Sequence, residues 1–395
     1  MGLYFLINSL WGGGAERVAL RLAKYLKPEK IFLLEKNIQY NTNINIEAIS
    51  SHTVQTNAFF KTLSIPVYRN RLRNLIKEND TIISFLERAN FVNILLGNRY
   101  RRIISIRTTL LRGRKFFHPY NVFIKIFYPK ADLLITNSKA LEFEVKNFLK
   151  TDKVKTIYNP IEVEEIQEKA KESLGGYEII KDFPYLITVG RLTKQKGQWY
   201  LLRIFKHLKT RYKDLKLIIL GEGELKNYLV ELSQNLGLKT YVWDRDMLNK
   251  AYDVYFLGFQ ENPYKFIKHA KLFIFTSLWE GLPNVLIESL AVGKTIISTD
   301  CRTGPREILA PNTDFLYQTS SPSVEEFGIL MPTFEEKLLK ANDPLTEKEK
   351  VWINTLSEVL NDEKLLKKYE LKAPNRAYDF HIDKITNLWL EIIEK

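Results

Sequence analysis

Residues 275–309 read FTSLWEGLPNVLIESLAVGKTIISTDCRTGPREIL, and this stretch carries the clearest structural pattern in the chain. Apolar runs predict buried strands over 271–276 and 295–299, and helix-forming residues predict a helix over 284–291 between them. A strand, a sharp turn at Gly281 and Pro283, a helix and a second strand make the βαβ unit of a parallel sheet. The turn lies at the carboxyl end of its strand, where open α/β sheets bind ligands.

Two carboxylates, Glu280 and Glu288, lie on either side of the predicted helix start. One alternative is that they are an ordinary loop acid and a solvated helix acid. Their neighbours are apolar, however, and a carboxylate in apolar surroundings is costly unless it meets a hydroxyl or a cation. The free amides at the helix start favour an anion such as a phosphate. A nucleotide sugar, which carries hydroxyls beside a phosphate, would satisfy all of these groups.

The segment EGLPNVLIE resembles the E-x7-E motif of retaining glycosyltransferases with the GT-B fold, and nearly the whole chain resembles glycosyltransferase family four. This resemblance implies an α/β protein with two Rossmann-like, doubly wound parallel-sheet domains facing a cleft. It also implies a last helix that crosses back to the first domain. The expected parts are an acceptor- and membrane-facing domain at 1–160, a linker at 161–183, a nucleotide-sugar domain at 184–375 and the crossover helix at 376–395.

Length and composition agree with two domains of ordinary size. The 395 residues are 45% hydrophobic, which is enough for two cores, and strand-like runs alternate with other segments through the first 160 residues. The single cysteine, Cys301, excludes a disulfide framework and is expected to be a packing residue. No apolar run is long enough to predict a transmembrane helix, and the first ten residues suit a buried strand better than a signal peptide.

The positive charge is concentrated in the first half of the chain. Residues 1–158 contain 26 lysines and arginines against 11 acids, whereas the rest contains 33 against 35. A net charge of +15 in this half predicts an anionic partner. Between residues 98 and 130 cations alternate with aromatic residues, which suits either a core with a solvated face or a membrane surface. The expected acceptor or membrane contacts in this segment are Arg112, Arg114, Lys115 and His118.

Two features of the first half are candidate site residues. Three glycines between the first strand and helix could form a simple flexible turn, but GGGAERV resembles the family's cleft-facing glycine loop. The resemblance implies that Gly13 and Gly14 lie near the donor diphosphate. Arg107 follows a predicted strand at the place where many relatives carry a histidine, so Arg107 is the preferred catalytic candidate and His118 the second.

In the second half, the resemblance assigns a donor site. A solvated basic turn would also explain Gly190, Arg191 and Lys196, but the family's matching residues clamp the donor diphosphate. The resemblance places Gly258 and Phe259 beside the nucleotide base, Glu280 on sugar hydroxyls and Glu288 on the ribose. The turn residues that complete the expected site are Gly281, Leu282, Pro283 and Asn284.

No metal or other cofactor is expected. Asp244-Arg245-Asp246 has the spacing of a metal-binding D-x-D motif, but GT-B enzymes neutralise the leaving diphosphate with cationic side chains and helix amides. We therefore interpret this motif as a coincidence.

The sequence predicts a retaining glycosyltransferase that uses a nucleotide sugar, with a UDP-linked donor and an N-acetylhexosamine among the candidates. The expected acceptor is a lipid-linked oligosaccharide or a lipopolysaccharide or capsule glycan. We expect a cytoplasmic protein bound peripherally to the anionic inner face of the cell membrane. The alternatives are a sugar-nucleotide epimerase of the same fold and a basic nucleic-acid-binding protein, although no nucleic acid partner is expected.

Overall fold

A computed structural model describes residues 1–39, 42–110 and 119–394. The chain forms two compact units, one made of Met1–Ile161 with Phe380–Lys395 and the other of Glu162–Asp379. The segment 161–183, predicted to be a linker, is therefore part of the second unit apart from its first residue. Residues 376–379, predicted to begin the crossover helix, also belong to the second unit, and the chain rejoins the first unit at Phe380.

Among the described residues, the first unit forms a seven-stranded parallel sheet with the strand order β3-β2-β1-β4-β5-β6-β7. The strands are Leu3–Ile7 (β1), Lys30–Leu33 (β2), Ile46–Ala48 (β3), Thr81–Phe85 (β4), Arg101–Ile106 (β5), Leu133–Thr136 (β6) and Val154–Thr156 (β7). The helices are Gly14–Leu26 (α1), Ala58–Leu63 (α2), Ile65–Arg73 (α3), Glu87–Ile94 (α4), Pro119–Phe127 (α5) and Lys139–Leu149 (α6).

Alternate residues of these strands face two helical layers, as the pleat requires. On one face Phe5 and Ile7 share a core with α1 and with the last helix, Ile382–Ile393. The other face is covered by α3, α4, α5 and α6. Parallel connections are right-handed. The crossovers that run from β1 toward β3 therefore place their helices on one face of the sheet, and those that run from β4 toward β7 place theirs on the other face.

The second unit forms an eight-stranded sheet with the order β10-β11-β9-β8-β12-β13-β15-β14, in which β14 is antiparallel. Its strands are Tyr185–Val189 (β8), Lys216–Leu220 (β9), Thr240–Val242 (β10), Val254–Phe256 (β11), Leu272–Phe275 (β12), Ile296–Thr299 (β13), Ser323–Val324 (β14) and Ile329–Met331 (β15). Its helices are Val163–Lys169 (α7), Gln198–Arg211 (α8), Lys226–Asn235 (α9), Tyr264–His269 (α10), Asn284–Ala291 (α11), Pro305–Leu309 (α12), Glu347–Asn361 (α13) and Glu363–Ala377 (α14), and the helix Ile382–Ile393 is α15.

Both sheets are doubly wound, which confirms the predicted α/β architecture. The chain starts near the middle of each sheet and builds outward in both directions from a switch point, which lies between β1 and β4 in the first unit and between β8 and β12 in the second. Ligands of open α/β sheets bind outside the carboxyl ends of the strands at such switch points. The predicted turn after β12 therefore lies at the expected ligand position of its unit.

The crossover helix is fixed to the first unit. Ile385 and Trp389 of α15 pack in the core that contains α1, and Arg101 donates a hydrogen bond of 2.6 Å to the carbonyl of Ile393. Arg101 also donates to the carbonyl of Ile392, so one side chain satisfies two carbonyls at the end of the helix. Within the described ranges, no helix is long and apolar enough to cross a membrane.

Candidate active site

The turn between β12 and α11 is shaped by a close backbone contact. Gly304 has φ +95°, and a Cβ atom there would lie 2.5 Å from Pro283 Cδ and 2.7 Å from the carbonyl oxygen of Gly281. Only glycine fits both this conformation and this space. Thr303 adds a hydrogen bond from its hydroxyl to the carbonyl of Glu280. The loop after β13 thus supports the turn that carries the first predicted acid.

The loop after β8 is joined to the same turn from the other side. The amide of Leu278 donates to the carbonyl of Gln195 at 2.8 Å, and the side-chain amide of Gln195 donates to the carbonyl of Trp279 at 2.9 Å. The hydroxyl of Thr276 donates to the carbonyl of Lys196 at 2.9 Å. These bonds hold the two loops of the switch point in one fixed arrangement.

Lys196 and Glu280, both predicted site residues, form an ion pair at this junction. The distance from Lys196 Nζ to Glu280 Oε1 is 2.6 Å, and the two side chains are only 17% and 9% exposed. The ammonium group also lies 5.1 Å from the centre of the Phe275 ring. A lysine in this position is a fixed cation whose charge is balanced by one carboxylate. An incoming anion would have to compete with that carboxylate.

Other predicted donor residues of the second unit lie in the loop after β8 and in α11. Arg191 is exposed, and its guanidinium makes no ion pair with any acid in the part of the chain that the structure describes. Asn284 is the first residue of α11, whose N-cap Pro283 provides no side-chain cap. Glu288 lies four residues after Asn284 in α11 and is buried. Among the described residues of the switch point, Arg191 is thus a cation without an ion-pair partner, Lys196 is a paired cation, and α11 begins without a side-chain N-cap.

The strand ends next to the site are crowded in a way that requires glycine. Gly221 follows β9 with φ +138°, and a Cβ there would lie 2.0 Å from the carbonyl oxygen of Gly190. Gly258 follows β11 with φ +68°, and its Cβ would lie 2.7 Å from the Trp243 ring. The amide of Phe259 donates weakly to Glu222 Oε1 at 3.4 Å, and the Phe259 side chain is exposed. Gly258 and Phe259 thus lie at the same carboxyl edge as Gly190.

Asp244, Asp246 and Cys301, the other residues of this unit that the sequence analysis singled out, have structural contacts. Asp244 pairs with Lys226, and Asp246 accepts a 2.8 Å hydrogen bond from the amide of Val242. Within residues 1–39, 42–110 and 119–394, no group of three or more His, Cys, Asp or Glu side chains could hold a metal ion. Cys301 is buried, and burial raises the pKa of its thiol well above the usual value.

Two elements of the site were not predicted from the sequence. Gln195 joins the two loops, and Asp300 forms a buried ion pair with Arg306 on α12. Burial raises the pKa of Asp300, while hydrogen bonds from Arg306 and from the amide of Thr319 act in the opposite direction. A signal for the ion pair existed, since the loop after β13 carries an acid and a base six residues apart. Gln195 offered no comparable signal.

The predicted residues of the first unit lie at the carboxyl edge of their own sheet. Gly13 is the N-cap of α1, and Gly14 is its first residue. Arg107 follows β5 and donates to Ser105 Oγ at 3.0 Å and to Asn159 Oδ1. Burial lowers the pKa of Arg107 to about 10, against the opposing effect of Glu16, so Arg107 remains charged at neutral pH.

The four predicted acceptor or membrane residues lie outside the described residues. These residues are Arg112, Arg114, Lys115 and His118.

Comparison with known proteins identifies the family. Residues 170–328 match the family model of glycosyl transferases group 1. The chain is 34% identical over 400 residues to the N-acetylgalactosamine-N,N'-diacetylbacillosaminyl-diphospho-undecaprenol 4-alpha-N-acetylgalactosaminyltransferase of Campylobacter jejuni, covering 97% of this chain and 96% of that protein. It is 40% identical over 279 residues to an uncharacterised glycosyltransferase of Methanocaldococcus jannaschii, covering 68% of this chain and 65% of that protein.

Solved structures show the same fold at low sequence identity. HepE of Anabaena, crystallised with UDP, aligns over 100% of both chains with a TM-score of 0.74 and 18% identity. TarM aligns over 100% of this chain and 99% of its own with a TM-score of 0.73 and 11% identity. These similarities confirm the GT-B fold predicted from the sequence. The chain belongs to the group 1 glycosyltransferases, enzymes that transfer a sugar.

Proposed function

We propose that the enzyme is a retaining glycosyltransferase that takes its sugar from a UDP-linked donor. The observation that carries this proposal is the Lys196–Glu280 pair beside the exposed Arg191 at the switch point of the second sheet. When the bond from the sugar C1 to the β-phosphate oxygen breaks, negative charge grows on the departing diphosphate. Fixed cations that strengthen their contacts as this charge grows lower the barrier.

Each predicted residue then has a role in the proposed reaction. Arg191 and Lys196 bind the diphosphate, and the amides at the start of α11 add further donors to it. Glu280 holds sugar hydroxyls, and Glu288 holds the ribose. The acceptor hydroxyl forms its bond to C1 on the face that the diphosphate leaves, and its proton passes to the departing phosphate oxygen. No side chain is required as a covalent nucleophile in this front-face scheme.

We propose an N-acetylhexosamine as the sugar and a polyprenyl-diphosphate-linked oligosaccharide as the acceptor. The support comes from the Campylobacter jejuni relative, whose name describes an N-acetylgalactosaminyl transfer to an undecaprenol-linked glycan and which aligns over nearly the full length of both proteins. A second Campylobacter jejuni enzyme, an alpha-1,4-N-acetyl-D-galactosaminyltransferase whose name includes PP-undecaprenol, is 27% identical over 410 residues.

A lipid-linked acceptor agrees with peripheral binding to the cytoplasmic face of the cell membrane. Residues 1–158 carry a net charge of +15, which would attract anionic lipids. Within the segment predicted to contact the membrane, α5 exposes Val122, Phe123 and Ile126. Exposed apolar side chains on a basic surface are typical of proteins that lie in the membrane interface.

The proposed donor is tested by measuring the melting temperature of the protein with a panel of nucleotide sugars, because a ligand stabilises the native state in proportion to its affinity. UDP-N-acetylhexosamines should raise the melting temperature most. Product analysis by NMR with a polyprenyl-diphosphate acceptor should then show an α-linked product from an α-linked donor. A β-linked product would refute retention, and a changed donor sugar in the absence of acceptor would indicate an epimerase.

A further inference from the structure

Helix α2 has the reverse of the side-chain arrangement that is usual on a protein surface. Its apolar residues Phe59, Phe60 and Leu63 are 64%, 60% and 61% exposed, whereas its lysine, Lys61, is 5% exposed. Apolar side chains in water and a lysine inside the protein both cost free energy compared with the opposite orientation. The outer side of α2 is therefore suited to contact with something less polar than water.

The inward lysine fixes this orientation. Lys61 Nζ donates to Glu35 Oε2 at 3.0 Å and to the carbonyl of Val54 at 3.1 Å. Glu35 lies just after β2, and its other oxygen pairs with Arg88 on α4. If α2 rotated, the buried carboxylate of Glu35 would lose one of its two cationic partners and keep only Arg88, so the orientation that exposes the rings is built into the fold.

The next helix extends the same surface with one more apolar side chain and several cations. Val67 of α3 is exposed one turn beyond Leu63, while Tyr68 and Leu72 face the core. Residues 58–77 contain five lysines and arginines and no acid. Apart from the buried Lys61, these cations are exposed or half-buried, namely Arg69, Arg71, Arg73 and Lys77. Exposed aromatic rings beside cations, with no acids among them, are complementary to an anionic lipid bilayer, in which negatively charged headgroups cover an apolar interior.

Helix α5 carries a similar surface in the same layer of the first unit. The ring of Phe91 on α4 packs on Phe127 with centroids 6.4 Å apart, and α4 shares a core with α3 on its other side. Residues 119–130 contain two lysines and no acid, and α5 exposes Val122, Phe123 and Ile126. The layer α3–α6 and helix α2, which contacts α3, therefore carry two basic, apolar regions.

We propose that this helical layer is the membrane-docking surface of the protein and that α2 and α3 insert their exposed side chains into an anionic bilayer. The inference rests on the proposed membrane association and assigns it to helices that composition did not indicate. Because the Lys61–Glu35 contact ties α2 to the carboxyl edge of the sheet, docking through α2 brings that edge to the headgroup level. A sugar carried on a lipid diphosphate is found at that level.

The test is sedimentation of the full-length protein with vesicles of phosphatidylcholine alone or with phosphatidylglycerol. The variant Phe59→Ser/Phe60→Ser/Leu63→Ser removes the proposed insertion. The matched control, Met247→Ser/Leu371→Ser/Leu388→Ser, removes three exposed apolar side chains that lie outside this layer. All six side chains are exposed, so both variants should fold, and an unchanged UDP-induced rise in melting temperature verifies this.

We expect the wild-type protein and the control to bind the anionic vesicles at low salt. The α2 variant should bind at least about 100-fold more weakly, since each lost ring or leucine contributes roughly tenfold. At 1 M salt, where the screening length is about 3 Å, wild-type binding should fall as well. Equal binding of the variant and the wild type would overturn the assignment to α2 while leaving membrane association intact. A wild-type protein that ignores anionic vesicles, or a dimer that the α2 variant converts to a monomer, would overturn the docking surface itself.

Discussion

Replacement of Glu280 by glutamine should separate binding of the donor from its reaction. Lys196 and Glu280 are 2.6 Å apart and largely buried, so the variant leaves a buried ammonium group without its counter-ion. Breaking such a pair costs about 3–5 kcal/mol of folding free energy, and the remaining solvent contact places this case near the lower end. The same unpaired lysine becomes a better anion site, so UDP should bind more tightly and should restore much of the lost stability. Turnover should nevertheless fall about 100-fold, on the scale of losing one preorganised contact to the transition state.

The assay is a urea unfolding curve with and without UDP, together with a UDP titration by calorimetry. Asp253→Asn is the matched control, because Asp253 pairs with Lys209 at 2.9 Å and the two side chains are 15% and 17% exposed, away from the switch point. The control should lose stability without gaining affinity for UDP. UDP should therefore raise its free energy of unfolding by no more than it raises that of the wild type. If Glu280→Gln bound UDP more weakly than the wild type, the view that Glu280 competes with the diphosphate for Lys196 would be refuted.

Three further predictions address other parts of the second unit. Gly304→Ala should displace the turn at Gly281, because even a methyl group overlaps Pro283 and φ at this position is +95°. The affinity for UDP should fall at least about tenfold. Calorimetry measures this affinity, and an unchanged value would contradict the prediction. Activity in a radiolabelled transfer assay should survive excess EDTA, and a loss restored by Mn²⁺ would return Asp244 and Asp246 to consideration. Burial lowers the pKa of Lys294 to about 8, so the unfolded chain binds more protons than the native state above that pH. The wild type should therefore gain stability relative to Lys294→Met between pH 8 and 10 in thermal melts, and a difference independent of pH would refute the lowered pKa.

The elements around the site could be predicted from the sequence because their signals are local. The strand Thr81–Phe85 and the helix Asn284–Ala291 have the predicted bounds, since apolar runs and turn residues mark them within a few positions. The acids of the EGLPNVLIE segment and the cations after β8 could also be predicted as site residues, because their spacing resembles that of the family's motifs. The end of the second unit was predicted less well, because α14 and the residues up to Asp379 continue a helical pattern without a break in composition.

The type of each element and the identity of the charged groups can be read from local patterns of residues. Which of those charged groups meet depends on the packing of distant segments. Lys196 and Glu280 are 84 residues apart and become partners because β8 and β12 are neighbours at the switch point, and strand order depends on long-range packing. The orientation of α2 also depends on a distant residue, because its sequence, AFFKTL, does not reveal which side faces inward. Glu35 fixes the orientation of α2, since this buried carboxylate after β2 pairs with Lys61 and the aromatic rings therefore face outward.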